Sequence, residues 1–123
     1  MLKTVKGVVR GIGYALEGYT GAFREDAHFR INLVLSLAGT AGALILLKGE
    51  LSLLVALCNY LVLVAELINT AVERAVDVAT EEFNPKAKLA KDAAAAAVLT
   101  IGLFALALDL RYLLPEIVKR VGG

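Results

Sequence analysis

Residues 64–77, VAELINTAVERAVD, set Glu66, Asn69, Glu73 and Asp77 at intervals of three and four along a stretch that begins deep in an apolar run. On an α-helix each residue advances about 100°, so the four fall within an arc of about 80° and form one polar stripe, with Arg74 at its edge. Ionisable groups at membrane depth cost at least a few kcal/mol each unless they are paired, hydrated or bound to a cation, which makes them functional candidates by default. Glu66 is the sharpest of them, because Leu61, Val62, Leu63 and Val64 precede it and lipid offers no screening solvent. Asp77 lies closer to the polar end, where a solvated helix terminus is the competing reading. Two carboxylates and an amide one helical turn apart suit a hard cation such as Mg²⁺, which takes few protein oxygens and leaves room for water and phosphate oxygens.

The segment that follows could supply a phosphate-facing half. Glu81, Glu82, Phe83, Asn84 and Pro85 make a polar turn, and KAKLAKDAAAAAVL then brings Lys86, Lys88, Lys91 and Asp92 to the mouth of another apolar run. A short loop joins antiparallel helices, so these cations must fold back toward Glu73 and Asp77. Cationic groups facing an acidic, metal-bearing stripe are what a polyphosphate requires. Other chemistries lack their parts. The chain has one histidine, His28, and no serine in a nucleophile-elbow pattern. It has no Walker A sequence, and GVVRGIGY does not fit a dinucleotide fingerprint.

The elements that must hold these residues follow from composition. At 123 residues the chain is one domain. Its apolar fraction of 59% and mean hydropathy of +0.72 exceed those of an ordinary soluble domain, where apolar residues make up roughly half, so lipid is the implied solvent. Three apolar stretches approach the roughly 20 residues that a spanning helix needs. They cover residues 31–47, 51–80 and 88–114, the last ended by Pro115. Lys48, Gly49 and Glu50 form a tight turn that makes the first two an antiparallel hairpin, and Ala38, Gly39, Ala41, Gly42 and Ala43 give the first a small-residue surface.

Residues 1–28 read as an amphipathic surface helix: Leu2, Val5, Val8, Val9, Ile12 and Leu16 recur at helical spacing, with Lys3, Lys6, Arg10 and Glu17 between them. This N-terminus does not read as a removable signal peptide. Lys3, Lys6, Arg10, Arg24 and Arg30 precede the first span, and Arg74, Lys86, Lys88 and Lys91 separate the second from the third. The basic residues therefore put the N-terminus and the acidic stripe on the cytoplasmic side of the cell membrane, against Lys48, Arg111, Lys119 and Arg120 at the far end. The net charge of +1 and the scattered basic residues argue against nucleic-acid binding. Cys58 and Tyr60 read as packing residues, His28 as structural, Tyr112 as a belt residue, and Asp109 with Arg111 as an interfacial ion pair.

The chain resembles the small integral-membrane diacylglycerol kinases of prokaryotes, a family that includes the undecaprenol kinases. ELINTAVERAVD matches the family pattern E-x-x-N-[ST]-[AV]-x-E-x-x-x-D, and AKLAKDAAAAAVL matches A-K-x-A-K-D-x-x-[AS]-[AG]-A-V-L. GYALEG at residues 13–18, followed by EDAHFRIN, is a third match, and together they cover nearly the whole length. The resemblance implies an all-α homotrimer of three-span subunits, each with an N-terminal surface helix. It further implies transfer of the γ-phosphoryl of ATP, with Mg²⁺, to the hydroxyl of a membrane lipid alcohol. Carried over residue by residue, Glu66 corresponds to the general base and Asn69 to an active-site polar residue. Glu73 and Asp26 correspond to metal ligands. Asp77, Lys91 and Asp92 correspond to nucleotide-contacting positions, Tyr14 to an aromatic near the adenine and Glu82 to an acidic residue at the nucleotide end.

The sequence departs from the family pattern at two places. Asp26 stands where glutamate is usual, with Glu25 as the alternative occupant, and Asn84 stands where histidine is frequent. The NPKAKLAKD segment resembles the undecaprenol-kinase branch more than the diacylglycerol branch. Two readings from other classes compete with a kinase. A proton-relay or transport subunit would need ionisable groups on to the far side, where only Asp109 stands; a non-catalytic assembly protein would not need the intact stripe and Lys91–Asp92.

Overall fold

A computed structural model describes the backbone of residues 2–123 and side chains from Val5 onward. Leu2 and Lys3, assigned above to the faces of the surface helix, lie outside the described side chains. The chain is helical throughout: α1 (Leu2–Glu25), α2 (Ala27–Leu46), α3 (Gly49–Ala79), α4 (Pro85–Leu108), a π-helical turn (Asp109–Leu113) and α5 (Leu114–Val121). Three helical stretches are long and apolar enough to cross a membrane, Ala27–Leu46, Gly49–Ala79 and Pro85–Val121. With that surface the protein is integral to a membrane.

Capping residues decide where these helices begin. The apolar run starts at Ile31, yet α2 starts four residues earlier, because Asp26 is its N-cap and accepts hydrogen bonds from the backbone N–H of His28 (2.8 Å) and Phe29 (3.1 Å). The same cap ends the N-terminal helix at Glu25 rather than Glu25's successors. Arg30 folds back to donate to the carbonyls of Phe23 (2.9 Å) and Arg24 (3.2 Å), satisfying the end of α1. Asn84 caps α4 by accepting from the N–H of Lys86 (2.9 Å) and Ala87 (3.3 Å), with Pro85 in the first turn, so the third span starts at Pro85 and not at Lys88. Asn84→Ala should lower stability by about 1 kcal/mol, with Asn84→Asp close to unchanged, as read by thermal unfolding in detergent.

Pro115 does not end the third span. The helix continues to Val121 because the turn at Asp109–Leu113 widens just ahead of the proline, with the N–H of Leu114 reaching the carbonyl of Asp109. A proline ring clashes with the carbonyl four residues back in a regular α-helix; a wider turn relieves that contact. At the hairpin, Gly49 has φ +63°, a left-handed conformation that glycine adopts without strain.

α3 is the centre of the bundle, packed between α2 and α4. Of the five small residues expected to line α2, Gly39, Gly42 and Ala43 face neighbours, whereas Ala38 and Ala41 are exposed. Phe29, Leu63 and Ala22 tie α1, α2 and α3 together, and Cys58, Val62 and Ala105 join α3 to α4, so Cys58 packs as expected. Tyr60 is instead half exposed on α3. Polar side chains bridge the helices where lipid cannot hydrate them: Ser52 donates to the carbonyl of Ala43 (2.9 Å) and Thr40 to that of Ala56 (3.3 Å).

Asn59, buried on α3, donates to Asp109 Oδ1 (2.8 Å). Asp109 therefore does not pair with Arg111, whose guanidinium lies over the Tyr112 ring, 5.4 Å from its centroid. Residues two apart on a helix do not face one another, which is why the pairing expected from sequence fails. A Cβ on Gly39 would stand 2.1 Å from Asn59 Oδ1, so the bridge requires glycine there. Gly39→Ala should cost about 1–3 kcal/mol by overpacking. In Asn59→Ala the same change should cost much less, and the unfolding cycle of the two measures the difference.

Candidate active site

The polar stripe of α3 faces a cleft of about 470 Å³ between α2, α3 and α4. Asp26, His28 and Asn32 line it from the start of α2, and Glu66, Asn69 and Glu73 from α3. Val98, Leu99, Gly102 and Leu103 supply an apolar wall from α4. Glu66 is the most enclosed of the acidic groups, with 2% of its surface exposed. Glu73 is half-buried and Asp77 exposed. Helical rise adds a gradient of depth in the bilayer to this gradient of packing. Counted from Gly49 at 1.5 Å per residue, Glu66 lies about 25 Å and Glu73 about 36 Å along α3, on either side of the roughly 30 Å that a hydrocarbon core spans.

Hydrogen bonds fix three of these side chains. Thr70 donates to Asp26 Oδ2 (2.9 Å), so the carboxylate that caps α2 is also tied to α3. Burial opposes ionisation of Asp26, but the N–H of Phe29, the Thr70 hydroxyl and the N–H of His28 outweigh it and hold its pKa below the ordinary value. Its contribution to stability is therefore full above the ordinary aspartate pKa of about 4 and is lost as the pH falls through the lower folded-state value. Asn69 Nδ2 donates to Glu73 Oε1 (3.3 Å), while Asn69 Oδ1 is buried with no hydrogen-bond partner among the described residues. An orphaned amide oxygen beside two carboxylates is a donor set that fits a hard cation. Among the described residues no three His, Cys, Asp or Glu side chains converge tightly enough to hold a metal by themselves. Such a site therefore needs oxygens from water or phosphate to complete it.

A second recess, of about 300 Å³, lies where α3 ends and α4 begins. Asp77, Glu82, Lys88, Lys91 and Asp92 line it. Lys91 Nζ lies 2.5 Å from Asp77 Oδ1, the fold-back expected of the KLAKD segment, and Lys88 pairs with Asp92. Glu82 is positioned through its backbone, which exchanges hydrogen bonds with the Thr80 hydroxyl (both 3.2 Å). The expected site residues thus separate into a cleft group, Asp26, Glu66, Asn69 and Glu73, and a surface group, Asp77, Glu82, Lys91 and Asp92. Tyr14 joins neither: it sits on α1 with 69% of its surface exposed. Glu25 and Arg74 form an ion pair (3.0 Å) on the other side of α3, away from the cleft, so it is Asp26 and not Glu25 that faces Glu66 and Glu73.

The sequence reading missed Asn32 and Thr70 and gave His28 no place at the site. Asn32 carries one usable signal, an amide inside an apolar run; Thr70 carries another, as the hydroxyl residue that follows Asn69 in the E-x-x-N-[ST] pattern.

Three spans with a graded acidic cleft at one end define a small membrane enzyme in which a polar site meets the lipid boundary. Compared with known proteins, the chain matches the prokaryotic diacylglycerol kinase family over residues 13–113. It is 38% identical to a diacylglycerol kinase of Helicobacter pylori over 119 residues, covering 95% of this chain and 92% of that one. It is 39% identical to a diacylglycerol kinase of Pseudomonas aeruginosa over 95 residues, 76% of each chain. An undecaprenol kinase of Bacillus subtilis is 44% identical over 52 residues, 42% of each chain. The protein belongs to the prokaryotic diacylglycerol kinase family.

Proposed function

We propose that the protein, a lipid kinase by family, transfers the γ-phosphoryl group of ATP to the hydroxyl of a membrane lipid alcohol at the cytoplasmic surface of the cell membrane. The observation that carries this reading is the enclosed Glu66 in a cleft that is apolar on its α4 wall and acidic toward the surface. A lipid can enter such a cleft from the bilayer and a nucleotide from water.

In this reading Glu66 accepts the proton of the lipid hydroxyl as its oxygen attacks the γ-phosphorus in line and the bond to the departing ADP breaks. Burial at the lipid boundary suits Glu66 to a base that must meet an alcohol held in hydrocarbon. Glu73 and Asp26, with Asn69 Oδ1 beside them, would hold Mg²⁺, which when bound neutralises phosphate charge. Asn69 orients Glu73 through their hydrogen bond. Lys91 exchanges its ion pair with Asp77 for contacts to the polyphosphate, and Asp77, Glu82 and Asp92 contact the rest of the nucleotide. Tyr14 would approach the adenine from α1, whose exposed Val5, Val8, Val9, Ile12 and Leu16 fit a helix lying in the membrane interface. A homotrimer belongs to the same reading: the exposed apolar face of α4, open to lipid, is also open to a neighbouring subunit.

The two relatives named diacylglycerol kinase align over 95% and 76% of the chain, against 42% for the one named undecaprenol kinase, which supports diacylglycerol as acceptor. The NPKAKLAKD segment supports a polyprenol. Transfer of label from γ-labelled ATP to diacylglycerol and to undecaprenol, side by side in mixed micelles, tests both. No transfer to either lipid would overturn the kinase reading, and the higher kcat/KM names the acceptor.

A further inference from the structure

Beyond this activity, we propose that the opposite end of the bundle carries a binding site for the phosphodiester headgroup of an anionic phospholipid. A cleft of about 490 Å³ opens there between the α2–α3 hairpin and the end of the third span. Lys48 enters it from the hairpin, Arg111 and Tyr112 from the π-helical turn, and Glu116 and Lys119 from α5. Glu116 and Lys119 neutralise each other in an ion pair (2.6 Å). Lys48 and Arg111 make no ion pair among the described residues, so the cleft keeps two uncompensated positive charges.

The lower wall is apolar, made by Leu47, Leu51 and Pro115. A cationic rim above an apolar floor at the end of a spanning bundle matches a phospholipid, whose phosphate lies at the interface and whose chains run down the wall. Free phosphate would use the rim and leave the floor uncovered. The π-helical turn is what assembles the rim: it lets the helix pass Pro115, so that α5 carries Glu116 and Lys119 over the hairpin. The same geometry gives a use to basic residues that work against the charge bias orienting the chain. An anionic headgroup supplies the countercharge they lack.

The chain contains no tryptophan, so Tyr112→Trp places a single indole at this cleft. In bilayers of phosphatidylcholine, the brominated form of phosphatidylglycerol should quench that indole at a mole fraction about 25-fold lower than brominated phosphatidylcholine does, since each of the two basic residues near a membrane surface contributes roughly a fivefold preference. Adding Lys48→Ala and Arg111→Gln should bring the two lipids to equal quenching, while Arg111→Lys should keep most of the preference. Phosphorylation of lipid alcohol, measured on each variant, reports that the bundle is folded and is expected to stay unchanged, because the cleft lies at the far end from Glu66. Equal quenching by both lipids in the parent, or a preference that survives loss of both cations, overturns the proposal. So does removal of the preference by millimolar inorganic phosphate, which would identify a free-phosphate site.

Discussion

Glu66→Gln lowers the rate of ATP-dependent phosphorylation of a lipid alcohol by about 10²–10⁴-fold, the range that a positioned general base contributes. Glutamine keeps the shape of the side chain and its hydrogen-bonding reach, so the cleft should stay packed and the loss should fall on proton transfer. The measurement is transfer of label from γ-labelled ATP under saturating nucleotide, with the helical circular dichroism and the oligomeric state recorded on the same samples. A drop in kcat at unchanged KM for ATP is expected, since the nucleotide contacts proposed here lie about two to three turns further along α3. Near-full activity in the variant would remove Glu66 from the chemistry.

The second large effect falls on Asp26, which caps α2 and, in the proposed reading, also holds the metal. Asp26→Asn retains an N-cap oxygen for His28 and Phe29 but removes the charge offered to a cation, so it should lose at least about 100-fold in activity while unfolding near the parent temperature. Asp26→Ala removes the cap as well, adding a cost of about 1 kcal/mol in stability to the same loss of activity. Glu25→Ala, which breaks only an exposed ion pair with Arg74, should stay within a factor of about two, since such pairs contribute little. An inactive Glu25→Ala beside an active Asp26→Asn would reverse the assignment of the second metal ligand.

Much of this is legible in the sequence alone. Periodicity placed Glu66, Asn69, Glu73 and Asp77 on one face, and the length of the apolar runs gave three spans, because lipid leaves a chain few ways to satisfy its backbone other than a helix. The return of Lys91 to Asp77 follows from the shortness of the Glu81–Pro85 turn. What stayed illegible depends on contacts between helices. Nothing in the local pattern pairs Asn59 with Asp109, fifty residues away, or makes Thr70 the partner of Asp26. Pro115 reads as a stop because its neighbours do not announce a π-helical turn. Asp26 was legible as a chemical group, whereas its capping role had its signal in the polar residue just ahead of an apolar run, masked by the interest of its charge.

α3 runs without interruption from Gly49 to Ala79, 31 residues. Its length is about 46 Å, well beyond a hydrocarbon core of about 30 Å. The carboxylate proposed for the lipid and the one proposed for the metal therefore ride on a single stiff rod, with about 10 Å of helical rise between them. Such a rod is a gauge of depth. It cannot bring Glu66 to a hydroxyl buried more deeply without drawing Glu73 away from water. The thickness of the surrounding bilayer, and not only the chemistry of the cleft, thus decides whether both substrates are in reach at the same moment.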